Sequence, residues 1–171
     1  AMSYGLAYGL SAFGLSKQLQ IDVAEAKKLM IDYFERFGNV RDYLRNVVLQ
    51  AKEDGYTETI FGRRRPFPDL HSTNRIAREN AERQALNSPI QGSAADIIKR
   101  AMNSIEDRIR AEKLSSRMLL QVHDELVLEI APGEEAGVEE LVRREMGAAV
   151  ALDVPLDVSV GVGLTWHDAA H

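Results

Sequence analysis

The sequence predicts an α+β fold, and three observations carry the prediction. Residues 1–55 show apolar stripes at helical spacing, separated by glycine-bearing breaks. Two apolar stretches flank His123-Asp124-Glu125, and after Glu125 the apolar residues switch to period two, the signature of strands. Between these regions lies one long helical pattern, interrupted only by Asn87-Ser88-Pro89. Helices first, then strands mixed with helices, argue for α+β rather than a regular βαβ alternation.

In chain order, residues 1–20 place Gly5, Gly9 and Gly14 among apolar residues, with Tyr4 and Tyr8 four apart. On a helix both tyrosines share a face, with Gly5 and Gly9 one position further round. A close helix crossing explains the glycines, and so does a flat ligand lying against the tyrosine rings. Ser16 or Asp22 is the expected cap of the next helix. Ala26, Leu29, Met30, Tyr33, Phe34 and Phe37 then form one stripe, with Gly38 as its stop and Asn39 as the next cap. Val40, Tyr43, Leu44, Val47, Val48 and Ala51 form a second stripe, closed by Asp54-Gly55. Tyr56–Phe61 alternates and leads into Gly62-Arg63-Arg64-Arg65-Pro66-Phe67-Pro68. The prolines forbid a long helix there, so the arginines sit on a loop or ribbon. Such a cluster suits phosphate contacts, and equally a solvated surface.

Thr73 or Asn74 opens the next helix, and Ser88 with Pro89 reads as a second start, giving one long kinked helix. Arg83, Asn87 and Gln91 are spaced by four and share a side of it. They are either its solvent face or a row of donors facing minor-groove acceptors. Residues 118–130 predict a β-hairpin with His123-Asp124 at its tip. Asp124 and Glu125 then stand side by side on an apolar ribbon. Alone, this reads as a polar turn; a rigid support also suits a divalent-metal site. Gly133 precedes a helix over residues 134–149, and Pro155 opens an alternating strand, Leu156–Leu164.

The chain has 171 residues, of which 45% are hydrophobic and 27% charged, enough for one domain or two intimate subdomains. It has no cysteine, which excludes disulfides and thiolate metal sites and favours a cytosolic compartment. No apolar run approaches a membrane span. The opening Ala1-Met2-Ser3-Tyr4-Gly5 reads as the interior of an element, hence of a longer chain. The net charge of −5 is unevenly spread: −1 over residues 1–62, +5 over 63–122 and −9 over 123–171. A basic middle beside an acidic end fits a phosphate-binding surface next to a carboxylate cluster.

Four motifs occur in order: Tyr4-Gly5-Leu6-Ala7-Tyr8-Gly9; Gly55-Tyr56 through Gly62-Arg63-Arg64-Arg65; Asn87-Ser88-Pro89-Ile90-Gln91-Gly92 with Ala95-Asp96-Ile97-Ile98-Lys99; and Val122-His123-Asp124-Glu125. Together they resemble the C-terminal part of the polymerase domain of the bacterial family A DNA polymerases, over essentially the whole chain. The resemblance implies part of a right-hand polymerase fold. Residues 1–70 would be the second half of the fingers and 71–171 the C-terminal part of the palm. Asp124 and Glu125 would be the catalytic carboxylates, serving two Mg²⁺ ions in the complete site. Tyr4 and Tyr8 would meet the incoming dNTP. Arg83, Asn87, Gln91 and His123, together with Arg63, Arg64, Arg65 and Arg78, would contact primer–template DNA. The remainder of the polymerase chain would be a further partner, and no membrane would be. The place of action would be the bacterial cytoplasm, at the nucleoid. The family's second metal-binding Asp precedes this stretch, so the isolated chain is expected to be inactive. A non-catalytic nucleic-acid-binding module using the arginines alone, and a metal-dependent phosphohydrolase using Asp124 and Glu125, are the alternatives.

Tyr4 stands where the commoner family pattern has Phe. The resemblance implies that a hydroxyl here weakens discrimination against nucleotides lacking a 3′-hydroxyl. Tyr4→Phe in the complete enzyme is therefore expected to lower dideoxynucleotide termination, measured as the termination frequency on a primed template. Equal termination by the two enzymes contradicts this.

Overall fold

The computed structural model describes Gly5 and residues 10–169. It is an α+β structure whose two compact units are Ala1–Ser93 and Ala94–His171. Tyr4 and Tyr8 lie outside the described residues.

The first unit begins with three helices. α1 spans Ala12–Leu19 and is capped by Ser11, whose Oγ accepts from the Gly14 amide at 3.1 Å. Ser16, an expected cap, instead lies inside this helix and is buried. α2 spans Val23–Arg36, and Asp22 caps it by accepting from the Glu25 amide at 2.8 Å. α3, Gly38–Asp54, begins after the single residue Phe37. The sequence makes Gly38 the stop of α2 and Asn39 the cap of α3. Gly38 is instead the first residue of α3, without the positive φ of a helix-ending glycine, and Asn39 lies within the helix. The rings of Tyr33 and Phe37, 4.9 Å apart, hold this corner with no side-chain cap. Gly55 ends α3 as expected, at φ 80°.

A short antiparallel ribbon comes next, β1 (Tyr56–Glu58) and β2 (Arg64–Pro66), with Thr57 opposite Arg65. The strand expected over Tyr56–Phe61 stops at Glu58, because Gly62, at φ 78°, turns the chain and its amide bonds the Thr59 carbonyl. A 3₁₀ turn, Pro68–His71, leads to Asn74, whose Oδ1 accepts from the Ile76 amide. This opens α4, Arg75–Ala111, one helix running through Pro89 with no second start at Ser88. The core of the unit comprises Ala51 of α3, Phe67 and Leu70 after the ribbon, and Ala81 and Ala85 of α4. Small alanines on both helices leave room for Phe67 and Leu70 between them.

The second unit holds the rest of α4, the hairpin β3 (Arg117–Val122) and β4 (Glu125–Glu129), and α5 (Glu135–Gly147). Its core comprises Ile105 and Ile109 of α4 with Val138, Leu141 and Val142 of α5. Met118, Leu126, Leu128 and Ile130 pack against it. One face of the hairpin is thus supported. The apolar run before the tip is not wholly buried, since a bulge between Met118 and Leu120 breaks the alternation and leaves Leu119 and Leu120 exposed. Glu145 of α5 fastens the two helices, bonded to Ser104 Oγ of α4 and 3.4 Å from Arg108.

Leu156–Leu164 is not a strand. Its burial does alternate: Leu156, Val158 and Val160 are half-buried and the residues between them exposed. Among the described residues it joins no ladder, since the nearby sheet consists of β3 and β4 paired with each other. The Val158 carbonyl accepts instead from Arg143 Nη1 of α5 at 2.6 Å. Periodicity marks which side chains turn inward, but a strand also needs a neighbouring backbone.

Glu134 joins the start of the hairpin to that of α5. Its carboxylate accepts from the amides of Ser115 and Ser116, each at 2.9 Å, and from Ser116 Oγ. These bonds hold it below the usual carboxylate range, the Ser115 amide contributing most. A depressed carboxylate stabilises the fold above its unfolded pKa, and that stability is lost as pH falls through the folded value. Glu134→Gln is therefore expected to destabilise this unit at neutral pH, with the difference from wild type vanishing in acid. Denaturation of both proteins across pH checks this; a difference independent of pH contradicts it.

Candidate catalytic hairpin and donor row

The sharpest geometry is at the hairpin tip. Val122 and Glu125 are the last paired residues, leaving a two-residue loop of His123 and Asp124. His123 has φ 55°, in the left-handed region. For a side chain of this size the conformation costs about 1–2 kcal/mol. Gln121 Nε2 donates to the His123 carbonyl at 2.8 Å and braces the loop. His123, Asp124 and Glu125 are all exposed. The tip therefore presents an imidazole and two adjacent carboxylates from a braced, partly strained turn. Both carboxylates are hard oxygen donors, the ligand type a Mg²⁺ ion takes in ones and twos while keeping water and substrate oxygens. Asp124 and Glu125 fit such an ion as part of its ligand set. Among the described residues no group of three or more His, Asp or Glu is gathered to complete one.

The second constellation is in the first unit. Arg83 and Gln91 are exposed on α4, and Asn87 between them is half-buried. Arg83 donates to Asn80 Oδ1 one turn earlier. Asn87 Oδ1 is fully buried and has no hydrogen-bond partner among the described residues. Gln91 lines a cleft of about 70 Å³ together with Thr57, Glu58, Arg63, Arg65 and Ser88.

The expected arginine cluster is a ribbon whose members are each engaged. Arg63 Nη2 donates to the Gly92 carbonyl at 3.0 Å. Arg64 pairs with Glu58 across the ribbon and lies 4.5 Å from the Tyr56 ring centroid, and the Glu58 contact raises its pKa. Arg65 lies over Phe67 and donates to Gln84 Oε1 at 3.3 Å. Arg78 Nη1 donates to the Ser72 carbonyl at 2.9 Å. These contacts pre-order the guanidinium groups while leaving Arg63, Arg64 and Arg65 exposed.

Sequence reasoning missed the polar group joining ribbon to helix: Thr59, Gly92 and Ser93. Ser93 Oγ accepts from the Ile60 amide at 3.0 Å, across 33 positions of sequence. No local pattern announces such a bond, although the glycine after Gln91 is a visible hint of close backbone approach.

Comparison with known proteins decides what these features belong to. The model of DNA polymerase family A matches residues 1–168. The chain belongs to that family. DNA polymerase I of Mycobacterium tuberculosis is 64% identical over 171 residues, all of this chain and 19% of that protein. DNA polymerase I of Streptococcus pneumoniae is 47% identical over 169 residues, 99% of this chain and 19% of that protein. The chain thus spans about a fifth of these family members. Among solved structures, the POL domain of Pol1 from M. smegmatis, in complex with DNA primer-template and dNTP, matches with a TM-score of 0.95 and 62% identity. That match covers 99% of this chain and 30% of that one. Among the described residues, no helix of this family member is long and apolar enough to cross a membrane.

Proposed function

We propose that these 171 residues serve as the C-terminal fingers and palm portion of a DNA-directed DNA polymerase. Residues 1–70 are the fingers part and 71–171 the palm part. The complete protein transfers the nucleotidyl group of a dNTP to a primer 3′-hydroxyl under template direction, releasing pyrophosphate, in DNA replication and repair, at the nucleoid in the bacterial cytoplasm. The observation that carries this reading is the braced His123-Asp124 tip with its two adjacent carboxylates, in a chain matched end to end by the family.

Asp124 is a metal ligand in this reading, and Glu125 supports it. When bound, two Mg²⁺ ions would supply Lewis-acid stabilisation of the attacking 3′-oxygen and of the triphosphate with its pyrophosphate leaving group. The chain's own contribution is position. The hairpin fixes the backbone that carries the Asp124 carboxylate, and the Gln121 bond to the His123 carbonyl braces that turn. His123 lies near the primer terminus on the same turn in this reading. Arg83, Asn87 and Gln91 read acceptors on the minor-groove side, which every base pair presents alike. That lets one surface test pair shape without reading sequence. Arg63, Arg64, Arg65 and Arg78 supply positive charge toward the DNA backbone. Tyr4 and Tyr8 pack against the incoming nucleotide. The metal set is completed by a carboxylate from the remainder of the polymerase chain, so the isolated chain is inactive.

Product analysis of the complete protein tests the reading. Incubation with a primed template and one templated dNTP should give a primer longer by one nucleotide, with release of pyrophosphate. Hydrolysis of the primer or dNTP without extension would assign the carboxylates to a phosphohydrolase instead.

A further inference from the structure

We infer that Thr59, Arg63, Gly92 and Ser93 form a latch that sets how Asn87 and Gln91 stand relative to each other across Pro89. The inference rests on the proposed reading of those two side chains as minor-groove contacts. Pro89 sits inside α4, where it supplies no amide hydrogen to the helix ladder. A helix is prone to bend at such a point. Asn87 precedes Pro89 and Gln91 comes after it, so any bend there changes their relative direction. Among the described residues Asn87 Oδ1 has no hydrogen-bond partner that would fix its aim independently of the helix backbone.

The latch lies on the turn after Pro89. Ser93 Oγ donates to the Pro89 carbonyl at 2.5 Å and accepts from the Ile60 amide at 3.0 Å. One hydroxyl thus ties the proline turn to the tip of the β1–β2 ribbon. Thr59 Oγ1 accepts from the amides of Phe61 and Arg63, shaping that tip. Arg63 returns to the helix by donating to the Gly92 carbonyl. Gly92 is what lets the parts meet. A Cβ there would lie 2.7 Å from Thr59 Cγ2, well inside the contact distance between carbons. The ribbon and the helix would have to separate, or the helix would have to turn. These four are positioning residues, acting through Asn87 and Gln91.

The test uses the complete polymerase and the ratio of kcat/KM for extending a mismatched primer terminus to that for a matched one. Gly92→Ala is expected to raise this ratio about tenfold, a misplacement effect. In a Thr59→Ser background, which removes Cγ2 and keeps Oγ1, Gly92→Ala should return the ratio to within about twofold of that background. Gln91→Ala, run in parallel, should raise the ratio by itself. If Gln91→Ala leaves it unchanged, the minor-groove reading of Gln91 is wrong, and the latch falls with it. If Gln91→Ala raises the ratio but Gly92→Ala does not, or Thr59→Ser fails to rescue, the latch alone is overturned. Should Gly92→Ala not fold, Ser93→Ala decides: a raised ratio supports the latch and an unchanged one overturns it.

Discussion

Replacing Asp124 by Ala in the complete polymerase is expected to lower single-turnover incorporation by roughly a thousandfold or more, while primer–template affinity changes by less than about tenfold. A thousandfold corresponds to about 4 kcal/mol of transition-state stabilisation, ordinary for one ligand of a catalytic metal site. The asymmetry is geometric in origin. In the proposed reading DNA affinity is spread over many basic and polar side chains, among them the arginines of β2 and the donors of α4. The Asp124 oxygens sit on a two-residue loop whose backbone is fixed by β3, β4 and the Gln121 bond. Glu125, the first paired residue of β4, projects from a different backbone position and does not reproduce the Asp124 ligand. Glu125→Gln keeps the shape and removes a charge, so its loss should be smaller. Near-normal turnover by Asp124→Ala would remove this residue from the metal site.

Leu141→Ala is expected to destabilise the second unit by about 2–5 kcal/mol. Leu141 is 2% exposed and lies in the cluster that supports Leu126 and Leu128 of the hairpin. A two-stranded hairpin is marginal by itself in water, so this one depends on the helices beneath it. The effect should be local to that support. Amide hydrogen exchange in the complete polymerase should show protection of the β3 and β4 amides falling at least about 30-fold. Unchanged exchange there would mean that the rest of the polymerase, not α4 and α5, holds the tip in place.

Much of this is legible in the sequence, for identifiable reasons. The hairpin can be read because apolar stretches flank a polar tip and alternate at period two after it, and that pattern needs no distant partner. α2, α3 and α5 can be read from stripes, and the caps Asp22, Gly55 and Asn74 from local chemistry. Sequence reading fails where a distant or unusual contact decides. Gly38 looks like a helix stop, yet the ring contact of Tyr33 with Phe37 lets the next helix begin at once. Leu156–Leu164 has strand periodicity but pairs with no backbone among the described residues. The run Met118, Leu119, Leu120 is apolar throughout, yet the bulge leaves two of the three exposed. The row Arg83, Asn87, Gln91 is visible as a spacing, but the latch beside it is not. Thr59 and Ser93 belong together only because the ribbon folds back onto α4.

The central claim is that the His123-Asp124 hairpin carries divalent metal in the polymerase. Mn²⁺ binding tests it most directly, read by electron paramagnetic resonance on the complete polymerase with primer–template and a non-hydrolysable dNTP analogue. The wild type should bind two ions per ternary complex, and Asp124→Ala should lose at least one while still holding DNA. Equal Mn²⁺ stoichiometry and affinity in the two proteins would contradict the account.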